Sequence, residues 1–308
     1  MNTTRKFSHP DLTAQGEPRA RVALKSLDTL WFNTGTLCNL TCENCYIESS
    51  PSNDRLVYLT LAEVERFLEE IERESQGTLE IGFTGGEPFM NPDFIAMLHA
   101  ALSRGHTALV LTNAMRPMMK CADALLELHA EHGSALKMRV SVDHHDRTVH
   151  ESERGRRSWQ PMLDGLRWLS EHGFALDVAG RTRWGDDEAE LREGFSGLFA
   201  REGTAVDAFD PVRLVLFPEM DEHAPVPEIT TACWQILGVD PNDMMCASSR
   251  MVVHRKGEPE AVVVACTLLP YAPGFELGTT LEQAQQPVAL NHPHCAKFCV
   301  LGGGACSV

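Results

Sequence analysis

The chain of 308 residues is 43% hydrophobic, enough to bury the core of one large domain and a smaller one, which excludes a disordered protein. Its 43 acidic residues outnumber 27 basic ones, and the net charge of −16 sets up a field that repels a phosphate backbone, so no nucleic-acid partner is expected. Residues 1–21 lack the apolar core of an export signal and no later run is long enough to span a membrane; we therefore expect a cytoplasmic protein with no membrane partner, whose ten cysteines serve metal binding or reactive-thiol chemistry and not disulfides.

Residues 1–27 have few hydrophobic anchors and read as an N-terminal extension, too short for a separate peptide-recognition domain. Leu30-Trp31-Phe32 opens a first strand, and the loop behind it carries Cys38, Cys42 and Cys45 before ending near Asn53. Thr60 and Glu63 make a capping box for a helix with Leu61, Val64, Phe67, Leu68 and Ile71 on its apolar face. A second strand over 79–83 leads into Thr84-Gly85-Gly86-Glu87-Pro88, after which Asn91-Pro92 reads as an N-cap and first helical residue. Further strands are predicted at 108–111, 136–142, 174–178 and 213–217, with helices through His129, over 159–171 and over 186–199. Six strand-helix units imply an α/β fold of parallel strands with right-handed crossovers and outer helices; periodicity leaves open whether the sheet curls into a barrel.

Residues 28–220 form this core, and 221–245, rich in Pro, Asp and Glu, read as a linker to a module over 246–308. There, apolar runs at 250–254 and 261–265 flank Lys256-Gly257-Glu258-Pro259 as a β-hairpin, whose folding brings Cys246 and Cys266 together at its open end. Cys295, Cys299 and Cys306 follow, with three glycines between the last two.

Three thiols at Cys38, Cys42 and Cys45 leave one coordination place open in a tetrahedral zinc site, so an iron-sulfur cluster with one non-protein ligand fits them better. The competing reading, a helix face of buried thiols, is opposed by Gly35, Thr36, Asn39, Thr41 and Asn44, which favour turns. The Cys-x3-Cys-x2-Cys spacing behind a hydrophobic strand, followed in order by Gly85-Gly86-Glu87 behind the next strand, resembles the radical S-adenosylmethionine superfamily. One position departs from its pattern: Asn44 precedes the third cysteine where the family has an aromatic residue, and Tyr46 stands on the other side.

The resemblance implies a partial (β/α)6 barrel with its chemistry at the carboxyl ends of the strands. It implies a 4Fe-4S cluster on Cys38, Cys42 and Cys45, with S-adenosylmethionine chelating the fourth iron and cleaved to a 5'-deoxyadenosyl radical. A one-electron donor such as flavodoxin or ferredoxin would be the partner. It further implies cofactor contacts from Gly85, Gly86, Glu87, Asn113 and Ser141; Tyr46 is a candidate contact beside the third cysteine, and of Arg181 and Arg183 behind the fifth strand, Arg181 is the preferred guanidinium for the cofactor's carboxylate. Asp143 and His144 are candidate acid-base groups, weighed against solvated loop residues. The C-terminal cysteines resemble the auxiliary-cluster modules called twitch and SPASM: Cys246, Cys266, Cys295, Cys299 and Cys306 offer five thiols where one auxiliary 4Fe-4S cluster needs at most four. A structural zinc is the alternative there. Cys121 and Cys233 read as buried inert thiols, and Arg154-Gly155-Arg156-Arg157 as a solvated loop or helix start. The expected function is hydrogen abstraction from a small polar substrate with net oxidation. A short peptide or protein side chain is the alternative substrate, and a non-enzymatic two-cluster electron carrier the alternative of another class.

Overall fold

The computed structural model describes residues 5–74, 77, 79–218 and 225–303. The chain divides into two units, one of Trp31–Glu219 with Val253–Ala261 and one of Met1–Leu30, Met220–Val252 and Val262–Val308. The N-terminal residues thus group with the C-terminal segment.

The elements in chain order are β1 (Arg21–Val22), β2 (Thr29–Asn33), α1 (Leu61–Arg73), β3 (Glu80–Thr84), α2 (Phe94–Ser103), β4 (Thr107–Thr112), α3 (Arg116–Met119), α4 (Ala122–His132), β5 (Leu136–Ser141), α5 (Arg147–Arg154), α6 (Trp159–Glu171), β6 (Ala175–Arg181), α7 (Glu188–Glu202), β7 (Leu214–Phe217), α8 (Cys233–Leu237), β8 (Ser249–Val253), β9 (Val262–Val264), β10 (Glu276–Gly278) and β11 (Val288–Ala289).

In the larger unit the strands run in the order β2-β3-β4-β5-β6-β7, and every pair from β3 to β7 is parallel. This is the α/β sheet of the partial barrel, as expected. The capping box starts α1: Thr60 Oγ1 accepts from the Glu63 N–H at 3.3 Å and Glu63 Oε2 accepts from the Thr60 N–H at 2.8 Å, while Val64, Phe67, Leu68 and Ile71 are buried. Gly82 sits mid-strand because a Cβ there would lie 2.3 Å from the Trp31 ring. One face of β5 and β6 carries Arg139 opposite Asp177, both buried, and Arg213 reaches the same carboxylate at 2.9 Å. A charged layer therefore lies on that face of the sheet, where oppositely charged partners make its burial tolerable.

Two local expectations are corrected. Helix α2 begins at Phe94 with Asp93 before it; Asn91 is instead buried and donates to the Thr34 and Leu59 carbonyls at 3.0 and 2.9 Å. The helix α5 had no counterpart in the sequence reading, because its buried residues include His150 and Glu153 where periodicity looks for apolar side chains.

In the smaller unit β8, β9 and β10 are neighbours, with β9 and β10 antiparallel, and β1 pairs with β11 through Arg21–Ala289 and Val22–Val288. Residues 5–30 are held there by Glu228, which accepts from the main chain of Phe7 at 2.8 Å and Ala14 at 2.7 Å and pairs with the buried Arg19. Among the described residues no helix is long and apolar enough to cross a membrane.

Candidate functional site

The cysteine segment is a loop, not a helix. The Cys38 N–H donates to the Ser50 carbonyl at 3.1 Å, and Cys42 and Cys45 are linked by a turn bond of 3.4 Å. Main-chain N–H groups of Leu40 and Ser49 point at the sulfurs of Cys38 and Cys45, each at 3.4 Å, an arrangement that favours thiolates. Burial nevertheless pushes Cys38 up to about 12, with Glu87, Cys42 and Cys45 adding to the rise, and burial raises Cys42 as well. Three soft donors that repel one another's charge suit a cationic centre, which alone would hold them ionised together. Among the described residues no three His, Cys, Asp or Glu side chains converge on a point that one ion would fill. Three cysteines from one loop leave a further ligand to come from outside the protein, which suits an iron-sulfur cluster better than a closed zinc site.

The turn after β3 lies directly on the backbone leading into that loop. The Gly86 N–H donates to the Gly35 carbonyl at 2.8 Å and the Glu87 N–H to the Leu37 carbonyl at 3.2 Å. A Cβ at Gly86 would sit 2.1 Å from the Leu37 carbonyl oxygen; at Gly85, which has φ +135°, it would sit 2.5 Å from that of Gly35. Only glycine allows this approach. Glu87 turns inward and accepts from Thr112 Oγ1 at 2.8 Å and the Asn113 N–H at 2.9 Å; burial pushes its carboxyl up to about 7. Asn113 in turn donates to Asn39 Oδ1 at 2.9 Å. Thus β2, β3 and β4 deliver the cysteine loop, the glycine turn and Asn113 to one place.

From the other side comes the end of α5, whose start is fixed by Asp146 accepting from Thr148 and Val149 at 2.7 and 3.2 Å. Glu153, with 1% of its side chain exposed, receives four hydrogen bonds: from the main-chain and side-chain nitrogens of Asn44 at 3.0 and 2.9 Å, from Arg181 at 3.1 Å and from Arg183 at 2.8 Å. Its own carbonyl, left without a partner at the helix end, accepts from the Glu43 N–H at 2.9 Å. Arg181 also donates to the Asn44 carbonyl at 3.0 Å. Asn44, one of the two residues between Cys42 and Cys45, is therefore gripped at its N–H, its side chain and its carbonyl. Arg154 makes a bidentate pair with Asp143, at 2.7 and 3.1 Å, so this arginine is mostly buried while Arg156 and Arg157 are exposed. The solvated-loop expectation is corrected for Arg154 and holds for the other two. Glu153 and Arg154 were missed because nothing in a polar octapeptide shows which side chains face inward.

Several predicted residues are present but differently engaged. Burial of Asp143 works to raise its pKa, yet Arg154 and Arg181 outweigh it and hold the carboxyl below its usual value. Asp143 is thus held as a carboxylate in a bidentate pair with Arg154. Nδ1 of the buried His144 accepts from the Asp146 N–H at 2.9 Å and its Nε2 faces Asp186 at 3.5 Å, leaving no lone pair turned to a substrate. Arg181 spends its guanidinium on Glu153 and Asn44. Ser141 ends β5 and Tyr46 follows Cys45, both half-buried. Cys121 and Cys233 are half-buried, the latter accepting from the Thr230 N–H at 3.3 Å, a local turn contact.

His150 is fully buried on α5 with neither ring nitrogen hydrogen-bonded, and burial, aided by Arg154, pushes it down to about 4. A histidine kept neutral in the fold binds its proton only on unfolding, so stability falls as pH drops from about 6.5 towards 4. His150→Phe escapes this loss: relative to its difference from wild type at pH 7, it should gain about 2 kcal/mol at pH 5 in urea unfolding, with equal changes at both pH values counting against the assignment.

In the smaller unit, burial pushes Cys295 well up, and Cys266, Cys299 and Cys246 each add to the shift, so these three thiols lie within electrostatic reach of Cys295. Cys295 and Cys299 sit on the π-helical turn Cys295–Val300. The fifth candidate, Cys306, lies outside the described residues. Arg250, 1% exposed, donates to the main-chain carbonyls of Cys246 at 2.6 Å, Ser249 at 2.8 Å and Ala284 at 2.8 Å. Burial disfavours its charge while Cys246 and Cys266 favour it. A buried guanidinium bonded to carbonyls needs compensating negative charge, which thiolates at Cys246 and Cys266 would provide.

Comparisons with known proteins agree with this geometry. Residues 32–181 match the model of the Radical SAM superfamily. The subtilosin biosynthesis protein AlbA of Bacillus subtilis, named for an antilisterial bacteriocin, is 28% identical over 190 residues, covering 60% of this chain and 40% of AlbA. The chain thus spans well under two thirds of that relative. Among solved structures, anSMEcpe with bound AdoMet superimposes with a TM-score of 0.62 at 13% identity, covering 87% of this chain and 82% of that one. Streptococcus suis SuiB bound to precursor peptide SuiA gives 0.58 at 12%, covering 83% and 63%. With the paired motifs and their shared site, residues 32–181 belong to the radical SAM superfamily, whose enzymes work with a 4Fe-4S cluster and S-adenosylmethionine.

Proposed function

We propose that this enzyme modifies a peptide, using the superfamily cluster on Cys38, Cys42 and Cys45 and one auxiliary 4Fe-4S cluster held by Cys246, Cys266, Cys295 and Cys299. The observation that carries the peptide reading is the similarity to AlbA, a bacteriocin biosynthesis protein, over 190 residues. It replaces a small polar metabolite as the favoured substrate. Cys246, Cys266 and Cys299 within electrostatic reach of Cys295, with the buried Arg250 bonded to the Cys246 carbonyl, support a thiolate-bound metal centre there.

When bound, the reduced cluster supplies the electron that cleaves S-adenosylmethionine into methionine and the 5'-deoxyadenosyl radical; a flavodoxin or ferredoxin is the proposed donor. The chain's own part is to hold and shield. Gly85 and Gly86 bring main chain against the loop, Glu87 and Asn113 fix the ends of β3 and β4, and Ser141 offers a hydroxyl at the end of β5. Tyr46 is a candidate cofactor contact. We assign Arg181 to positioning Asn44, since its donors are already turned there.

The test is anaerobic. The reconstituted protein is given S-adenosylmethionine, dithionite and deuterated synthetic peptides encoded by short reading frames beside its gene. Deuterium appearing in 5'-deoxyadenosine together with a modified peptide mass supports the reading. Label-free 5'-deoxyadenosine with every such peptide, alongside deuterium transfer from a small polyol, would return the substrate to a metabolite.

A further inference from the structure

Three guanidinium groups and two carboxylates meet behind the cysteine loop. Glu153 is shared by Arg181 and Arg183, and Asp143 takes both donors of Arg154 and lies 3.7 Å from Arg181. The two carboxylates of this group are buried, with 1% and 5% of their side chains exposed. Its location is fixed by main-chain contact, because the Glu153 carbonyl bonds to the Glu43 N–H and Arg154 is the next residue. Arg154 is near enough to Cys42 and Cys38 for each to influence its ionisation.

We propose that Arg154 sets the reduction potential of the cluster at Cys38, Cys42 and Cys45 by holding a positive charge beside it, which rests on those cysteines being the ligands. Reduction adds one electron from a low-potential one-electron donor to the cluster, with no bond broken and no proton moved. A fixed cation nearby therefore stabilises the reduced form over the oxidised one, and an anion does the opposite. The bidentate pair with Asp143 locks the guanidinium in place, and the limited access of water to this corner keeps the interaction from being screened. Arg154 is a positioning and tuning residue here; it touches neither substrate nor the reacting carbon.

The experiment is a redox titration of the full-length reconstituted protein followed by electron paramagnetic resonance, without peptide substrate. The relevant cluster is recognised by the change in its signal when S-adenosylmethionine is added. Arg154→Gln should shift its midpoint to more negative potential, Asp143→Asn to more positive potential, and Arg154→Lys should stay near wild type. Iron content is measured alongside. Clusters retained with unmoved midpoints in Arg154→Gln and Asp143→Asn overturn the inference. If Arg154→Gln loses iron, the sign of the Asp143→Asn shift decides. A Cys42→Ala variant that loses no iron and no signal relative to wild type overturns the ligand assignment itself, and the inference with it.

Discussion

Glu153→Gln is expected to lose most of the iron at the cysteine loop and to cost about 3 kcal/mol of stability. The native carboxylate accepts four hydrogen bonds and carries the charge that Arg181 and Arg183 face. Glutamine offers one oxygen and turns an NH2 group towards two donors, so it leaves both guanidinium groups without their anion and Asn44 without half its grip. Because Asn44 stands between Cys42 and Cys45, the thiols lose their mutual spacing along with the fold energy. Glu153→Asp, which keeps the charge on a shorter stem, should fall between the two. Iron and sulfide counts, urea unfolding and 5'-deoxyadenosine yield check this together; a glutamine variant with full iron and unchanged stability would refute the clamp.

The second large effect is expected at Gly86. Alanine there places a methyl carbon 2.1 Å from the Leu37 carbonyl oxygen and 2.6 Å from its carbonyl carbon, both main-chain atoms that cannot rotate aside. The loop carrying Cys38 must move, at a cost of about 3 kcal/mol or more, with loss of cofactor cleavage. The control is Gly105→Ala: its φ of +82° strains alanine, but nothing lies within 4 Å, so about 1 kcal/mol is expected and cleavage should persist. Equal losses in the two variants would mean that backbone strain in general, and not this contact, governs the turn.

How much of the site the residues announced differs from element to element. The capping box at Thr60 and Glu63 and the parallel strands were readable because each depends on near neighbours and on a periodic apolar face. Glycine before glutamate after a strand announced a close approach, though not that the approached atom is the Leu37 carbonyl. Asn44 was visible as a departure from the family pattern, whereas its partner Glu153 stands 109 positions away and left no trace. Arg181 and Asp143 were found at the strand ends, but their partners Glu153 and Arg154 were not, since arginines and carboxylates can pair in several ways.

By itself, then, the sequence determined the class of chemistry and the succession of core strands: thiol spacing, the Gly85-Gly86-Glu87 turn and hydrophobic period are local properties that a chain carries along its length. Only the tertiary structure decided which charges meet. Helix α5 has a polar composition that periodicity cannot orient, and the burial of Glu153, Arg154 and His150 follows from where the end of that helix lands against the loop of Cys42 and Cys45. Ion-pair choice depends on distance through space and on the low dielectric of the buried corner, neither of which exists until the strands have brought the segments together.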